Sequence, residues 1–103
     1  MAKEIFKELI GRQVLVRSYD AGVYYGTLVD ADENTAKLEN VRNIWRWSGA
    51  NCLADIANHG IRNGGDTRIS LPVSSMVINR VCQLMPLTDA AINNLNTYES
   101  WTC

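Results

Sequence analysis

Gln13-Val14-Leu15-Val16-Arg17-Ser18-Tyr19, then Asp20-Ala21-Gly22, then Val23-Tyr24-Tyr25-Gly26-Thr27-Leu28-Val29-Asp30-Ala31 is the stretch on which the fold turns. The first run is rich in β-branched residues and alternates. It predicts a strand with Val14 and Val16 on one face and Arg17 and Tyr19 on the other. Asp-Ala-Gly is turn chemistry, so the run after it predicts the returning strand of a hairpin. Gly26 interrupts that second strand, and glycine inside a strand marks a bulge or a sharp bend of the kind small barrels use at corners. Tyr24 and Tyr25 fall on opposite faces, so at most one of them joins Arg17 and Tyr19.

Working outward, Lys3 to Leu9 has Ile5, Phe6 and Leu9 on one side and charges on the other, which predicts a short amphipathic helix ended by Gly11. Downstream, Asp32-Glu33-Asn34 is a turn and Thr35 to Val41 a third strand. Asn43 to Ser48 reads as a fourth strand, and Gly49 to Asn58 as a helix stopped by Gly60, with Ser48 or Asn51 as its N-cap. Ile61 to Arg68, which contains Asn63-Gly64-Gly65, is a loop. Met76 to Met85 reads as one late strand ended by Pro86; Thr88 caps a short helix through Leu95, and the tail carries Trp101. The fold class is α+β, mainly β: a small, strongly bent antiparallel sheet of about five strands, or an SH3/Sm-like partial barrel, with an inserted helix and short terminal helices.

Composition sets the bounds. With 103 residues, 47% hydrophobic and 20% charged, the chain fits one globular domain over 1–103, with no internal repeat or linker. No apolar run reaches the ~18 residues of a membrane helix, and the opening Met1 to Glu8 alternates charge with apolar residues, unlike a signal peptide. Cys52, Cys82 and Cys103 are odd in number and widely spaced, which fits neither a disulfide framework nor a zinc site and suits a reducing cytoplasm. A formal net charge of −1 argues against a DNA-coating protein.

That mean charge hides an asymmetry. Residues 40–80 carry Arg42, Arg46, Arg62, Arg68 and Arg80 against only Asp55 and Asp66. All five bases are arginine, whose planar fork matches phosphate and carboxylate. In Arg42-Asn43-Ile44-Trp45-Arg46-Trp47-Ser48 the guanidinium groups alternate with indoles. A nucleotide needs such a pair, a flat surface for its base and donors for its phosphate. Trp45 and Trp47 either stack on such a ligand or fill the core of a small barrel, while Arg42 and Arg46 are expected to be exposed. Ser48-Gly49-Ala50-Asn51 offers backbone N–H groups where a helix begins. Arg62 and Arg68 bracket a glycine-rich loop able to close over an anion, and Arg17 and Tyr19 line the same pocket.

Catalysis finds little support. His59 is the only histidine, and Asp55 four residues earlier makes an ordinary helix-surface pair. No nucleophile elbow or metal-ligand spacing occurs. Asp30, Asp32 and Glu33 suit a solvated hairpin tip rather than a calcium loop. The expectation is a non-enzyme with no cofactor and no metal.

Two resemblances follow from these residues. Gly11 to Leu38, with the rhythm Gly-x-x-Val-x-Val-Arg, Gly-x-x-x-Gly-x-Leu and a later aspartate, resembles the first half of the Sm-like fold, with Val77 to Cys82 as its closing strand. The usual Sm-like RNA-binding signature is not recognisable. Over most of the chain, Val16-Arg17-Ser18-Tyr19-Asp20-Ala21-Gly22-Val23, Gly26-Thr27-Leu28 and Arg42-x-Ile44-Trp45-x-Trp47-Ser48-Gly49-Ala50 resemble a family of small uncharacterised proteins of tailed phages and prophages. That likeness implies a phage accessory protein made in a bacterial cytoplasm. In size and in its arginine-plus-aromatic chemistry the chain is also similar in design to phage proteins that sequester nucleotide immune signals.

The resulting expectation is a binding protein that captures a small phosphate-bearing nucleotide. Arg42, Arg46, Arg62 and Arg68 would hold phosphate, and Trp45 or Tyr19 would stack on the base. Trp47, Ser48 and Arg17 complete the candidate set. So small a chain encloses little by itself, so a homo-oligomer is expected, with no membrane partner. The alternatives are an Sm-like single-stranded RNA binder and a structural or adaptor protein of the phage with no small ligand.

Overall fold

β1 (Gln13–Ser18) and β2 (Gly22–Asp32) form the antiparallel hairpin the sequence predicts, in register from Gln13 opposite Thr27 to Ser18 opposite Gly22. The computed structural model describes residues 4–19, 22–46, 52–61, 67–98 and 100–101. Helix α1 (Glu4–Lys7) precedes the hairpin and is shorter than the span read from sequence. β2 turns at Glu33-Asn34 into β3, which runs unbroken from Thr35 to Arg46. The described part of the fourth strand expected at 43–48, residues 43–46, is therefore the far end of the third, and Trp47 and Ser48 lie outside the described residues. The β-branched and aromatic run simply continues.

Gly26 sits at a bulge, as its sequence position suggests. Tyr25 pairs with Arg42 and Thr27 with Glu39, so Asn40 and Val41 together oppose the single Gly26. Asn40 takes the left-handed conformation that such a bulge requires, φ 52°. A Cβ on Gly26 would lie 2.9 Å from the Glu39 carbonyl oxygen and 3.2 Å from the Val41 Cα, so only hydrogen fits there. A second register shift between Leu28 and Asp30 bends the same pair of strands again.

β4 (Arg68–Ser70) and β5 (Val73–Ile78) both lie antiparallel to β3, with Ile69 opposite Ile44 and Val73 opposite Val41. They form one ribbon interrupted at Leu71-Pro72, where proline has no N–H to donate to a ladder. The late strand read as Met76 to Met85 is in fact two. β5 ends at Ile78, Asn79-Arg80 reverses the chain, and β6 (Val81–Pro86) pairs with β1. Apolar residues flank Asn79-Arg80 on both sides and neither glycine nor proline marks the turn, so residue type alone does not reveal the break. A two-residue strand, β7 (Ser100–Trp101), adds parallel to β4.

This connectivity forces curvature. The sheet order runs β6-β1-β2-β3-β5, and a flat sheet would put its edges about 19 Å apart, four spacings of ~4.8 Å. Ile78 to Val81 is only three residue steps, a reach of about 11 Å at most. The sheet therefore curls until its two edges approach at that end. The junction is fastened by Ser18 Oγ donating to the Asn79 carbonyl (2.7 Å), Tyr19 N–H to the Arg80 carbonyl (3.1 Å) and Val81 N–H to the Asn34 carbonyl (2.8 Å). β5 and β6 form no ladder with each other among the described residues, so the sheet stays open.

Both faces of the sheet are covered. Val14, Val16, Leu28, Leu38, Val41 and Ile78 pack inside the curl. On the other face Leu15, Tyr25 and Ile44 meet α2 (Leu53–His59) and α3 (Asp89–Leu95) through Ile56, Ala91 and Leu95. α2 begins later than the helix read from Gly49, with Cys52 at its N-cap and no side-chain cap; Ser48 and Asn51 lie outside the described residues. Gly60 ends it as expected, its N–H on the Ile56 carbonyl. Thr88 caps α3 as read, its hydroxyl accepting from Ala91 N–H at 3.1 Å. No helix among the described residues is long and apolar enough to cross a membrane.

Candidate functional site

Leu15, Arg17 and Tyr19 share one face of β1 and its continuation, but the helices cover only the first of them. Leu15 is fully buried, while Arg17 is exposed and Tyr19 is 74% exposed. Beyond the helical cover the face opens into a cleft of about 690 Å³. Its walls are the end of the β1–β2 hairpin, the stretch Asn43-Ile44-Trp45 of β3, and Cys52 and Leu53 at the start of α2. Three of the residues singled out from sequence, Arg17, Tyr19 and Trp45, meet there from two different strands.

The chemistry of this cleft is cationic and aromatic. Arg17 is its charged wall residue, and no acidic side chain lines it among the described residues. Trp45 is 39% exposed, and the Arg68 guanidinium carbon lies 5.7 Å from its ring centroid. That separation is cation–π range, so Arg68 steadies the indole that forms part of the wall. Asn43 also borders the cleft, but it stands opposite Tyr24, which stands opposite Val16, so its side chain belongs to the other face of the sheet.

Arg42 requires a correction. It is half-buried, not exposed, and its guanidinium is spent on the protein. Nε donates to the Ser70 carbonyl (3.0 Å), Nη1 to the Tyr25 hydroxyl (3.0 Å) and more distantly to the Leu95 carbonyl (3.5 Å), and Nη2 to the Tyr98 carbonyl (2.9 Å). Tyr25 in turn donates to Asn96 Oδ1 at 3.1 Å. Burial raises the Tyr25 phenol above its ordinary pKa, and the adjacent Arg42 charge and hydrogen bond partly offset that. Arg42 thus ties β3 to β4 and to the C-terminal end of α3, on the opposite strand face from Asn43.

Arg46 pairs with Arg68 through the β3–β4 ladder, and its side chain lies outside the described residues, as do Trp47, Ser48 and Arg62. Asp30 and Asp32 at the hairpin tip accept from the N–H groups of Ala31 and Glu33, both at 2.9 Å. Their carboxylates serve the local turn.

A family model matches residues 11–95, most of the chain and all of the cleft described above. The chain belongs to the DUF6948 family. Its description is a domain of unknown function, so membership fixes kinship without an activity. No curated protein is similar to the chain.

Proposed function

We propose that this DUF6948 chain is a non-catalytic, phage-encoded binding protein that sequesters a small phosphate-bearing nucleotide in the cleft between β1, β3 and α2, a bacterial immune signal being the natural cargo. One observation carries the reading: Arg17, Tyr19 and Trp45, distant in sequence, converge on a single concave surface whose lining, among the described residues, holds no acid. Arg17 binds phosphate, and the exposed faces of Tyr19 and Trp45 stack on the base. The cleft volume falls within the ~300–1,000 Å³ range of small-molecule sites. The phage context and the host cytoplasm rest on the sequence resemblance.

The open, curled sheet supports an SH3/Sm-like partial barrel as the finer fold description. Its ribbon order, with β4 and β5 counted together and a short link into β6, resembles the Sm-like arrangement. Among the described residues β5 and β6 are edge strands, and Val73 and Val77 are exposed on β5. Edge pairing between copies follows from that as a proposal.

The test is calorimetry and thermal shift of the whole chain against mononucleotides, cyclic di- and trinucleotides, ADP-ribose derivatives and oligoribonucleotides. The proposal expects a defined small nucleotide to bind with one-site stoichiometry, and Arg17→Ala and Trp45→Ala each to weaken it at least tenfold without loss of fold. Absence of any shift across the panel would leave the structural or adaptor role.

A further inference from the structure

Two depressions share one wall. Tyr19 lines the cleft that holds Arg17 and Trp45, and it also lines a smaller hollow of about 360 Å³ formed with Asn34, Arg80 and Val81. Tyr19, 74% exposed, is therefore common to two depressions, one lined by Arg17 and the other by Arg80.

Arg80 occupies that place against its local preference. It has a φ of 56°, in the left-handed region that glycine adopts freely and a side chain with a Cβ does not. The backbone there is held by the Tyr19 N–H on the Arg80 carbonyl and by Ser18 Oγ on the carbonyl of Asn79. Local geometry favours glycine, yet the chain keeps an arginine beside an exposed aromatic ring. Strain of this kind is retained where the side chain has work to do. Asn34, across the hollow, contributes an amide that both donates and accepts.

We infer that the ligand is a dinucleotide that straddles Tyr19, with one phosphate at Arg17 and the second at Arg80. One base lies against Trp45, and the second nucleoside sits in the hollow beside Asn34. This inference rests on the nucleotide reading above and narrows it. A mononucleotide occupies one depression and leaves the other arginine unused, so affinity rises steeply from one nucleotide to two and then stops rising.

The experiment is calorimetry of the full chain with AMP, linear pApA, cyclic di-AMP and a ten-residue oligoadenylate, in wild type, Arg80→Gly and Arg80→Asn. Asparagine tolerates left-handed φ better than most residues, so it is a second variant should the first lose its fold. At least one dinucleotide is expected to bind tenfold or more tighter than AMP, and the linear and cyclic arms show which form is preferred. Either Arg80 variant is expected to keep its melting temperature, remove that advantage and leave AMP binding unchanged. Equal affinity for AMP and both dinucleotides, with Arg80 variants silent, overturns the straddling ligand and spares the nucleotide site. Affinity that keeps climbing to the ten-residue strand overturns it in favour of single-stranded RNA. No binding by any of the four overturns both.

Discussion

Replacing Arg42 by alanine tests whether this arginine is a structural clamp or a ligand-binding group. Three of its hydrogen bonds are 3.0 Å or shorter, and the acceptors they leave are the carbonyls of Ser70 and Tyr98 and the Tyr25 hydroxyl. A hydrogen bond from a charged donor contributes about 1.5–3 kcal/mol. Water reaches a half-buried site and replaces part of each, so the expected loss is about 3 kcal/mol rather than the full sum. For a domain of this size 1 kcal/mol moves the melting temperature by roughly 4–8 °C, so Arg42→Ala is expected to melt about 12–24 °C lower. Arg42→Lys recovers only part of that, because an ammonium group cannot span acceptors placed for a planar fork. Differential scanning calorimetry with urea unfolding at fixed pH measures both variants. A loss below about 1 kcal/mol, the range of a surface substitution, would refute the clamp, above all if nucleotide affinity fell at the same time.

Three further outcomes follow from the packing. Gly26→Ala forces a Cβ against the backbone of Glu39 and Val41, and is expected to cost about 1–3 kcal/mol by denaturant unfolding. Thr88→Ala removes the α3 cap and the 2.6 Å hydrogen bond from the Thr88 hydroxyl to the Asn58 carbonyl, for a loss of about 1 kcal/mol in the same assay. Tyr25 is raised above its unfolded value, so above about pH 10 the unfolded chain releases this proton first. Its contribution to stability is whole below that pH and is lost as pH climbs toward the folded value. Tyr25→Phe is expected to flatten that alkaline slope in a pH series of melting curves, while lowering stability at neutral pH through the lost hydrogen bonds.

Local chemistry made the first half of the fold readable. Glu33-Asn34, Gly26 and Thr88 announce a turn, a bulge and a cap by residue type alone, and each stands where the sequence places it, as do the two strands that Asp20-Ala21-Gly22 was read to join. The reversal at Asn79-Arg80 was hidden because its cause is remote. It is imposed by the end of β1 and the β2–β3 turn, and Arg80 is an unlikely residue for the conformation they demand. The same distinction divides the site. Arg17 and Tyr19 were grouped by strand alternation and Trp45 was picked out by its arginine neighbours, and all three border the cleft; Arg42 was misjudged as exposed because its acceptors lie 17 to 56 residues away in sequence. Arginine on a strand looks alike from its own neighbours whether it faces water or a cluster of carbonyls.

The pairing of β1 with β6 has a consequence for how the polypeptide reaches this state on the ribosome. Leu15 stands opposite Met85, and one of its two flanking ladders exists only once β6 has been synthesised. A nascent chain stopped short of residue 81 presents the apolar first strand with one side bare, and without α3, one of the two helices that cover its outer face. Such contacts, distant along the chain, make folding slow and late. Residues 81–86 must be made before this domain acquires its native protection from proteases and from other unfinished copies.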